Sequence, residues 1–152
     1  MEFIEYLDKI ELEIIKVVEQ AGYKTRENTQ LCLIGDEYVG FLNKRKKEII
    51  ICTNNAKKRE GFTPVRIKDK DTFRRVSLHI KKALRHEAIH VAQECNDGEL
   101  LKINNKLSMN ISKMKALNGS IKISGDEEKE RQAYILENRP KIVKKELMKY
   151  CL

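Results

Sequence analysis

The chain contains a histidine pair that is spaced for metal binding. His86, Glu87, Ala88, Ile89 and His90 form the pattern HExxH. Because residues i and i+4 lie on the same face of an α-helix, both imidazoles can reach one metal ion, and Glu87 faces the same cleft. Two imidazoles and a carboxylate base are the groups with which proteins make a zinc ion activate water. The alternative is a surface helix whose two histidines are merely solvated.

A catalytic zinc site needs a third protein ligand. The longer motif HExxHxxGxxH is excluded, because Gln93 stands where its glycine is required and Asn96 stands where its third histidine is required. His79 lies two helical turns before His86, about 10.5 Å along the axis, which is too far to bind the same ion. Cys95 lies further along the same helix and points elsewhere. We therefore expect a carboxylate from a separate element.

A second helix downstream offers such carboxylates. Residues 124–127 read as a capping box that opens a helix over about 126–138. The candidate ligands on this helix are Glu127, Glu128, Glu130 and Glu137. Position favours Glu130, because Glu127 is already used by the capping box and Glu128 falls on a different face. Glu137, two turns beyond Glu130, is expected to be solvated, and support of a ligand is the alternative.

The segment Glu130-Arg131-Gln132-Ala133-Tyr134 resembles the ExxA-type glutamate helix of gluzincins. Gluzincins are HExxH peptidases whose third zinc ligand is a glutamate on a downstream helix. The resemblance implies that His86, His90 and Glu130 hold Zn²⁺. It also implies that Glu87 is the general base and acid, and that a peptide binds across the cleft beside a sheet edge.

A further hydrogen-bond donor would stabilise the charge that develops on a carbonyl oxygen. Tyr134, one turn beyond Glu130, is a candidate for this donor or for a hydrogen bond to a zinc-binding histidine. The alternative for Tyr134 is a buried helix aromatic. The chain has no histidine beyond the motif to serve as the donor, so we expect a restricted substrate rather than general proteolysis.

The hydrophobic pattern predicts an α+β, zincin-like fold in a single domain over 1–152. Its expected parts are an N-terminal helix, a small antiparallel sheet, an active-site helix that carries HExxH, the downstream glutamate helix and a C-terminal helix. The predicted helices cover about 2–20, 71–95, 108–117, 126–138 and 141–150, the strands 30–34, 38–42 and 48–53, and a loop 54–70.

Positive charge is concentrated in one stretch of the chain. The net charge is +8, and residues 44–85 hold 15 Lys and Arg against 4 acids. An alternative function is therefore a non-proteolytic zincin-fold module that docks an acidic partner or nucleic acid through 44–85. Only 6% of residues are aromatic and none is Trp, so base-stacking platforms are scarce. A solvated surface and a peptide or protein substrate are therefore favoured.

The cysteines and the apolar runs bear on the compartment. Cys32, Cys52, Cys95 and Cys151 lie far apart without a CxxC pair, and we expect them to be reduced and mostly buried. The acidic N-terminus does not resemble a secretory signal. No apolar stretch approaches the ~20 residues of a membrane span. These features predict a cytoplasmic protein without membrane contact.

Overall fold

A 26-residue helix carries both histidines of the motif and contacts most other elements. The computed structural model describes residues 1–62, 67–103 and 126–152. The elements are the helices α1 (Lys9–Gln20), α2 (Thr53–Arg59), α3 (Lys70–Cys95), α4 (Glu127–Leu136) and α5 (Pro140–Cys151), the strands β1 (Lys24–Glu27), β2 (Gly40–Asn43) and β3 (Glu48–Ile51), and short 3-10 helices over Glu2–Tyr6 and Gln30–Ile34. The predicted α+β class is confirmed.

The described strands form one mixed sheet in the order β1-β3-β2. Strands β2 and β3 pair antiparallel, as predicted, whereas β1 pairs parallel with β3. The strand predicted over 30–34 is wrong, because Gln30–Ile34 forms a 3-10 helix. Most of its apolar run stays outside the core: Leu33 is 81% exposed and Ile34 is 57% exposed, whereas Cys32 is buried against Phe41 and Ile50. The sheet is therefore not the fully antiparallel meander that the pattern predicts.

The helices agree with the sequence at three of the predicted positions and differ elsewhere. Helices α3, α4 and α5 are confirmed, whereas the predicted helix over 2–20 is interrupted before α1 begins, and α2 replaces part of the predicted loop over 54–70. The predicted helix over 108–117 lies outside the described residues. Within the described ranges, no helix has the length together with the hydropathy that a membrane crossing needs.

Helix α3 is held on several sides by a shared core. It packs against α1, α4, α5 and the strands β2 and β3. Fully buried side chains in this core include Ile14, Val18, Ile49, Ile80, Leu84, Ile89 and Leu147. At its start, the Asp69 carboxylate caps α3 by accepting a hydrogen bond from the Thr72 amide at 3.0 Å. These contacts fix the direction in which the C-terminal half of α3 presents its side chains.

The prediction of reduced cysteines is wrong. Cys32 pairs with Cys52, and Cys95 pairs with Cys151. The paired residues are 20 and 56 positions apart in the chain, yet their Cα atoms lie 5.5 and 5.2 Å apart. Wide spacing in the sequence therefore hid their proximity in space. The second disulfide ties the end of α3 to the end of α5.

Candidate metal centre

Three side chains from α3 and α4 converge on one point. The Nε2 atoms of His86 and His90 are 3.2 Å apart. One Glu130 oxygen lies 3.0 Å from His86 Nε2, and the other lies 3.0 Å from His90 Nε2. All three residues are buried and form a group that can hold a metal ion. The spacing on α3 and the choice of Glu130 on α4 thus predicted which side chains the fold brings together.

The donor atoms fit the coordination that zinc prefers. A tetrahedral zinc ion with bonds of about 2.0–2.1 Å holds its ligand atoms roughly 3.3–3.4 Å apart. The distances of 3.0 and 3.2 Å among the three side chains are close to this value. Imidazole nitrogen and carboxylate oxygen are also ligand types that zinc uses at catalytic sites. These residues therefore fit a zinc ion in both geometry and chemistry.

Charges around the three side chains favour a cation. Burial tends to lower the pKa of His86, but hydrogen bonds to the carboxylates of Glu130 and Glu137 outweigh it and raise this pKa to about 10. Burial tends to raise the pKa of Glu130, but hydrogen bonds from His86 and His90 hold this pKa well below its ordinary range. The carboxylates thus stabilise positive charge at His86, and a metal ion that binds Nε2 would displace the proton held there.

The Glu137 carboxylate supports one ligand directly. Its Oε2 atom lies 3.1 Å from His86 Nδ1, and Glu137 is buried. An ionised carboxylate only accepts hydrogen bonds, so it holds a proton on Nδ1 and leaves His86 Nε2 directed at Glu130. The favoured expectation of a solvated Glu137 is wrong, because its side chain is buried against the His86 ring. Its position seven residues after Glu130, on the same face of a helix, was the signal in the sequence.

The carboxylate of Glu87 faces a cleft beside the three ligands. The cleft has a volume of about 330 Å³ and is walled by β2, α3 and α4. Glu87 lines it together with His86, His90 and Glu130. Burial raises the pKa of the Glu87 carboxyl. A carboxyl group with a raised pKa suits a role in which a proton is taken up and then returned.

Strand β2 approaches Glu87 closely because residue 40 is glycine. A Cβ atom at Gly40 would lie 3.2 Å from Glu87 Cγ, 3.3 Å from Glu87 Oε1 and 3.1 Å from the Cβ atom of Ala83. These distances are shorter than ordinary van der Waals contact, so a side chain at position 40 would displace the strand or the carboxylate. Gly40 therefore sets the width of the cleft at the point where Glu87 lies.

Tyr134 lies against a ligand rather than across the cleft from it. Its ring packs on the His86 ring, with centroids 4.4 Å apart. Among the described residues, those that line the cleft do not include Tyr134. This contact fits a role in holding His86 in place. Donation of a hydrogen bond from Tyr134 to a substrate oxygen stays a prediction.

The remaining candidate ligands have other partners. His79 Nε2 lies 3.0 Å from a Glu60 oxygen, and Cys95 is bonded to Cys151. Glu127 pairs with Arg131 at 3.1 Å, and the helix cap is the Asp126 carboxylate, which accepts from the Lys129 amide at 3.1 Å. Glu127 therefore does not form the predicted capping box, and Ser124 lies outside the described residues.

Many basic side chains of residues 44–85 are paired with acids. The pairs are Lys44–Glu94, Lys57–Glu2, Lys58–Asp36, Arg74–Asp71, Arg75–Glu60, Lys81–Asp8 and Arg85–Glu11. Several of them join different elements, and Arg85 and Glu11 are both buried. This pairing offsets much of the positive charge on which docking of an acidic partner would depend. Docking through 44–85 stays a prediction.

The comparisons with known proteins assign a family. No curated protein and no solved structure matches the chain. A family model described as a domain of unknown function, DUF8637, matches residues 3–152. Because this match covers nearly the whole sequence, the chain belongs to the DUF8637 family.

Proposed function

We propose that the protein is a zinc-dependent metallopeptidase of gluzincin type that hydrolyses a peptide bond in the cleft beside α3. The observation that carries this proposal is the convergence of His86, His90 and Glu130, with Glu87 lining the same cleft. Two imidazoles and one carboxylate as ligands, with a second carboxylate as the base, are the groups that such a hydrolase uses to hold zinc and activate water.

The residues of the centre divide into ligands and a base. His86, His90 and Glu130 would hold the zinc ion, which supplies Lewis acidity when it is bound. Glu87 is not needed as a ligand, and its carboxylate would take a proton from the attacking water and return it to the leaving amine. This division matches the burial of Glu87, because burial raises the pKa of its carboxyl group and so makes it a stronger base than an ordinary glutamate.

The sheet edge beside the cleft suits an extended peptide. Strand β2 pairs with β3 on one side and, within the described residues, with no strand on the other. Gly40 and Leu42 of this strand line the cleft. A peptide in an extended conformation can add to such an edge through main-chain hydrogen bonds. A peptide or protein is therefore the proposed substrate.

The disulfides bear on the compartment in which the protein acts. Disulfide bonds persist in oxidising compartments and are rare in the cytoplasm, where thiols are kept reduced. The pairing of all four cysteines therefore favours an oxidising compartment over the cytoplasmic location expected from the sequence.

Zinc titration of the purified protein tests the metal centre. We expect one zinc ion per chain for the wild type. Loss of a residue that hydrogen-bonds a metal ligand weakens metal affinity by up to ~100-fold. His90→Ala removes a ligand itself, so it should weaken zinc affinity by more than that. His79→Ala is the matched control, since it makes the same change on the same helix but affects a residue paired with Glu60. Equal zinc affinity in the wild type and His90→Ala would contradict the proposal.

The narrow approach at Gly40 gives a test of the cleft that leaves the ligands intact. We expect Gly40→Ala to lower peptide cleavage by about 10–100-fold, because a displaced base loses its alignment with the reacting atoms. Zinc affinity should stay close to that of the wild type. Gly35→Ala is the control, because the three atoms nearest to its Cβ atom would all belong to the side chain of Glu37, which can move away. Unchanged cleavage by Gly40→Ala would show that strand β2 does not position Glu87.

A further inference from the structure

Two glutamines connect His90 to the main chain of Leu101. The Leu101 amide donates to Gln132 Oε1 at 3.0 Å, and Gln132 Nε2 donates to the Leu101 carbonyl at 2.8 Å. A main-chain N–H can only donate and a carbonyl can only accept. The orientation of the Gln132 amide is therefore fixed by both of its ends.

The fixed Gln132 amide determines how Gln93 must be turned. Because Gln132 Oε1 faces Gln93, the Gln93 amide nitrogen must point toward it, and the two atoms are 3.0 Å apart. The same nitrogen donates to the Lys129 carbonyl at 3.2 Å. Gln93 is 1% exposed, so water does not offer it another orientation. Its oxygen is thereby left on the opposite side, toward His90.

The orientation of Gln93 in turn sets which nitrogen of His90 carries the proton. Gln93 Oε1 lies 2.8 Å from His90 Nδ1 and accepts its hydrogen bond. A neutral imidazole that donates through Nδ1 has its lone pair on Nε2. His90 Nε2 donates to Glu130 Oε1 at 3.0 Å, and a metal ion that binds there would take the place of this proton and meet the Nε2 lone pair. The relay therefore prepares His90 to bind a metal ion through Nε2.

The relay also holds α4 against α3 around the third ligand. Gln93 on α3 bonds the Lys129 carbonyl and the Gln132 side chain, which lie on either side of Glu130 along α4. Loss of the glutamine contacts would free His90 to rotate and would loosen the helix that delivers Glu130. Both effects would weaken metal binding without removing a ligand.

We propose that Gln93 and Gln132 are positioning residues. They hold a proton of His90 on Nδ1 and keep α4 in place against α3, so that the three ligands are preorganised for the metal ion. This inference rests on the proposed function, because it concerns the same centre. The two histidines have different partners at Nδ1. His86 contacts the carboxylate of Glu137, whereas His90 contacts a neutral amide whose orientation is set by main-chain groups.

Metal affinity and a spectroscopic signal together test the relay. Gln93→Met keeps the size of the side chain but removes its hydrogen bonds, and we expect a zinc dissociation constant about 10–100-fold higher than that of the wild type. In the cobalt-loaded wild type, the Nδ1 protons of both histidines should appear as separate shifted proton resonances that exchange slowly with water. In Gln93→Met, the His90 resonance should be lost to fast exchange, while that of His86 remains.

Further variants separate positioning from general damage to the fold. Gln93→Glu still offers an acceptor to His90 Nδ1 but has no donor for the Lys129 carbonyl and Gln132 Oε1, so it should recover the His90 resonance without restoring the contact between α3 and α4. Gln132→Met leaves Gln93 in place but removes the partner that fixes the orientation of its amide, so this variant should also bind zinc more weakly than the wild type. It tests the relay even if Gln93→Met fails to fold. Gln20→Met, at the exposed end of α1, is the matched control and should behave as the wild type.

The outcomes distinguish this inference from the proposed function. Wild-type zinc affinity and a slowly exchanging His90 resonance in folded Gln93→Met, or unchanged zinc affinity in Gln132→Met, would overturn the relay and leave the zinc centre standing. A wild-type protein that binds neither zinc nor cobalt would overturn the proposed function and the relay with it.

Discussion

Glu87→Gln is expected to lower peptide cleavage by about 10²–10⁴-fold, the range that general acid–base catalysis contributes. Glutamine has nearly the same shape as glutamate, but its amide cannot take a proton from water or return one to the leaving amine. Glu87 does not belong to the group of ligand atoms formed by His86, His90 and Glu130. The zinc affinity of the variant should therefore stay close to that of the wild type.

Cleavage of a mixed peptide library, followed by mass spectrometry, measures this effect in zinc-loaded protein. Glu128→Gln is the matched control. It makes the same chemical change at an exposed residue of α4, away from the cleft. A chelator should abolish cleavage by both the wild type and the control. Cleavage at the wild-type rate by Glu87→Gln would mean that another group is the base or that a contaminating peptidase is present.

Removal of the Cys95–Cys151 bond is expected to lower the free energy of unfolding by about 4 kcal/mol, because the bond closes a loop of 56 residues in the unfolded chain. The double variant Cys95→Ala/Cys151→Ala removes this constraint without leaving a free thiol from the pair. Cys32→Ala/Cys52→Ala opens a loop of 20 residues and should cost less, about 3 kcal/mol.

Urea unfolding of the metal-free proteins gives both values, since bound zinc would add its own stabilisation to the native state. The Cys32→Ala/Cys52→Ala variant serves as the comparison for general loss of buried sulfur. A midpoint that does not change when Cys95 and Cys151 are replaced, or when the wild type is reduced, would show that this disulfide does not contribute to stability.

The three side chains of the candidate metal centre could be predicted because their arrangement is largely local. His86 and His90 share a face as soon as α3 forms, and the apolar stripe that buries α3 is evident in the sequence. Glu130 required one further step, because its helix also had to be recognised and its face chosen. The fold then needed only to pack α4 on α3 to complete the set.

The parts of the sheet that depend on distant pairing could not be predicted. Strand β1 has the sequence KTRE, without an apolar side chain, and it forms because its main chain pairs with β3. The run over Gln30–Ile34 has the composition of a strand, but the Asn55 amide nitrogen donates to the carbonyls of Cys32, Gly35 and Tyr38. That side chain holds the loop after the run in place through its main-chain carbonyls, a contact between distant residues that the hydrophobic pattern does not encode.

The supporting residues of the centre were harder to identify than its ligands. Gln93 appeared in the sequence only as a departure from a longer zinc motif, yet it contacts His90. Its role depends on Gln132 and on the Leu101 main chain, which lie 39 and 8 residues away in the sequence. A hydrogen-bond relay of this kind has no periodicity, and only the packing of the elements reveals it.

The two edge strands of the sheet differ in charge, and therefore in how readily another strand can pair with them. Along β1, Lys24 and Arg26 are exposed, and charged side chains on an edge strand discourage pairing with another molecule. Along β2, the cleft is lined by Gly40, Phe41 and Leu42, which offer an incoming strand no charge to overcome. Self-association through the sheet is thereby discouraged at the far edge, and the edge beside the candidate metal centre is the one that suits the proposed peptide.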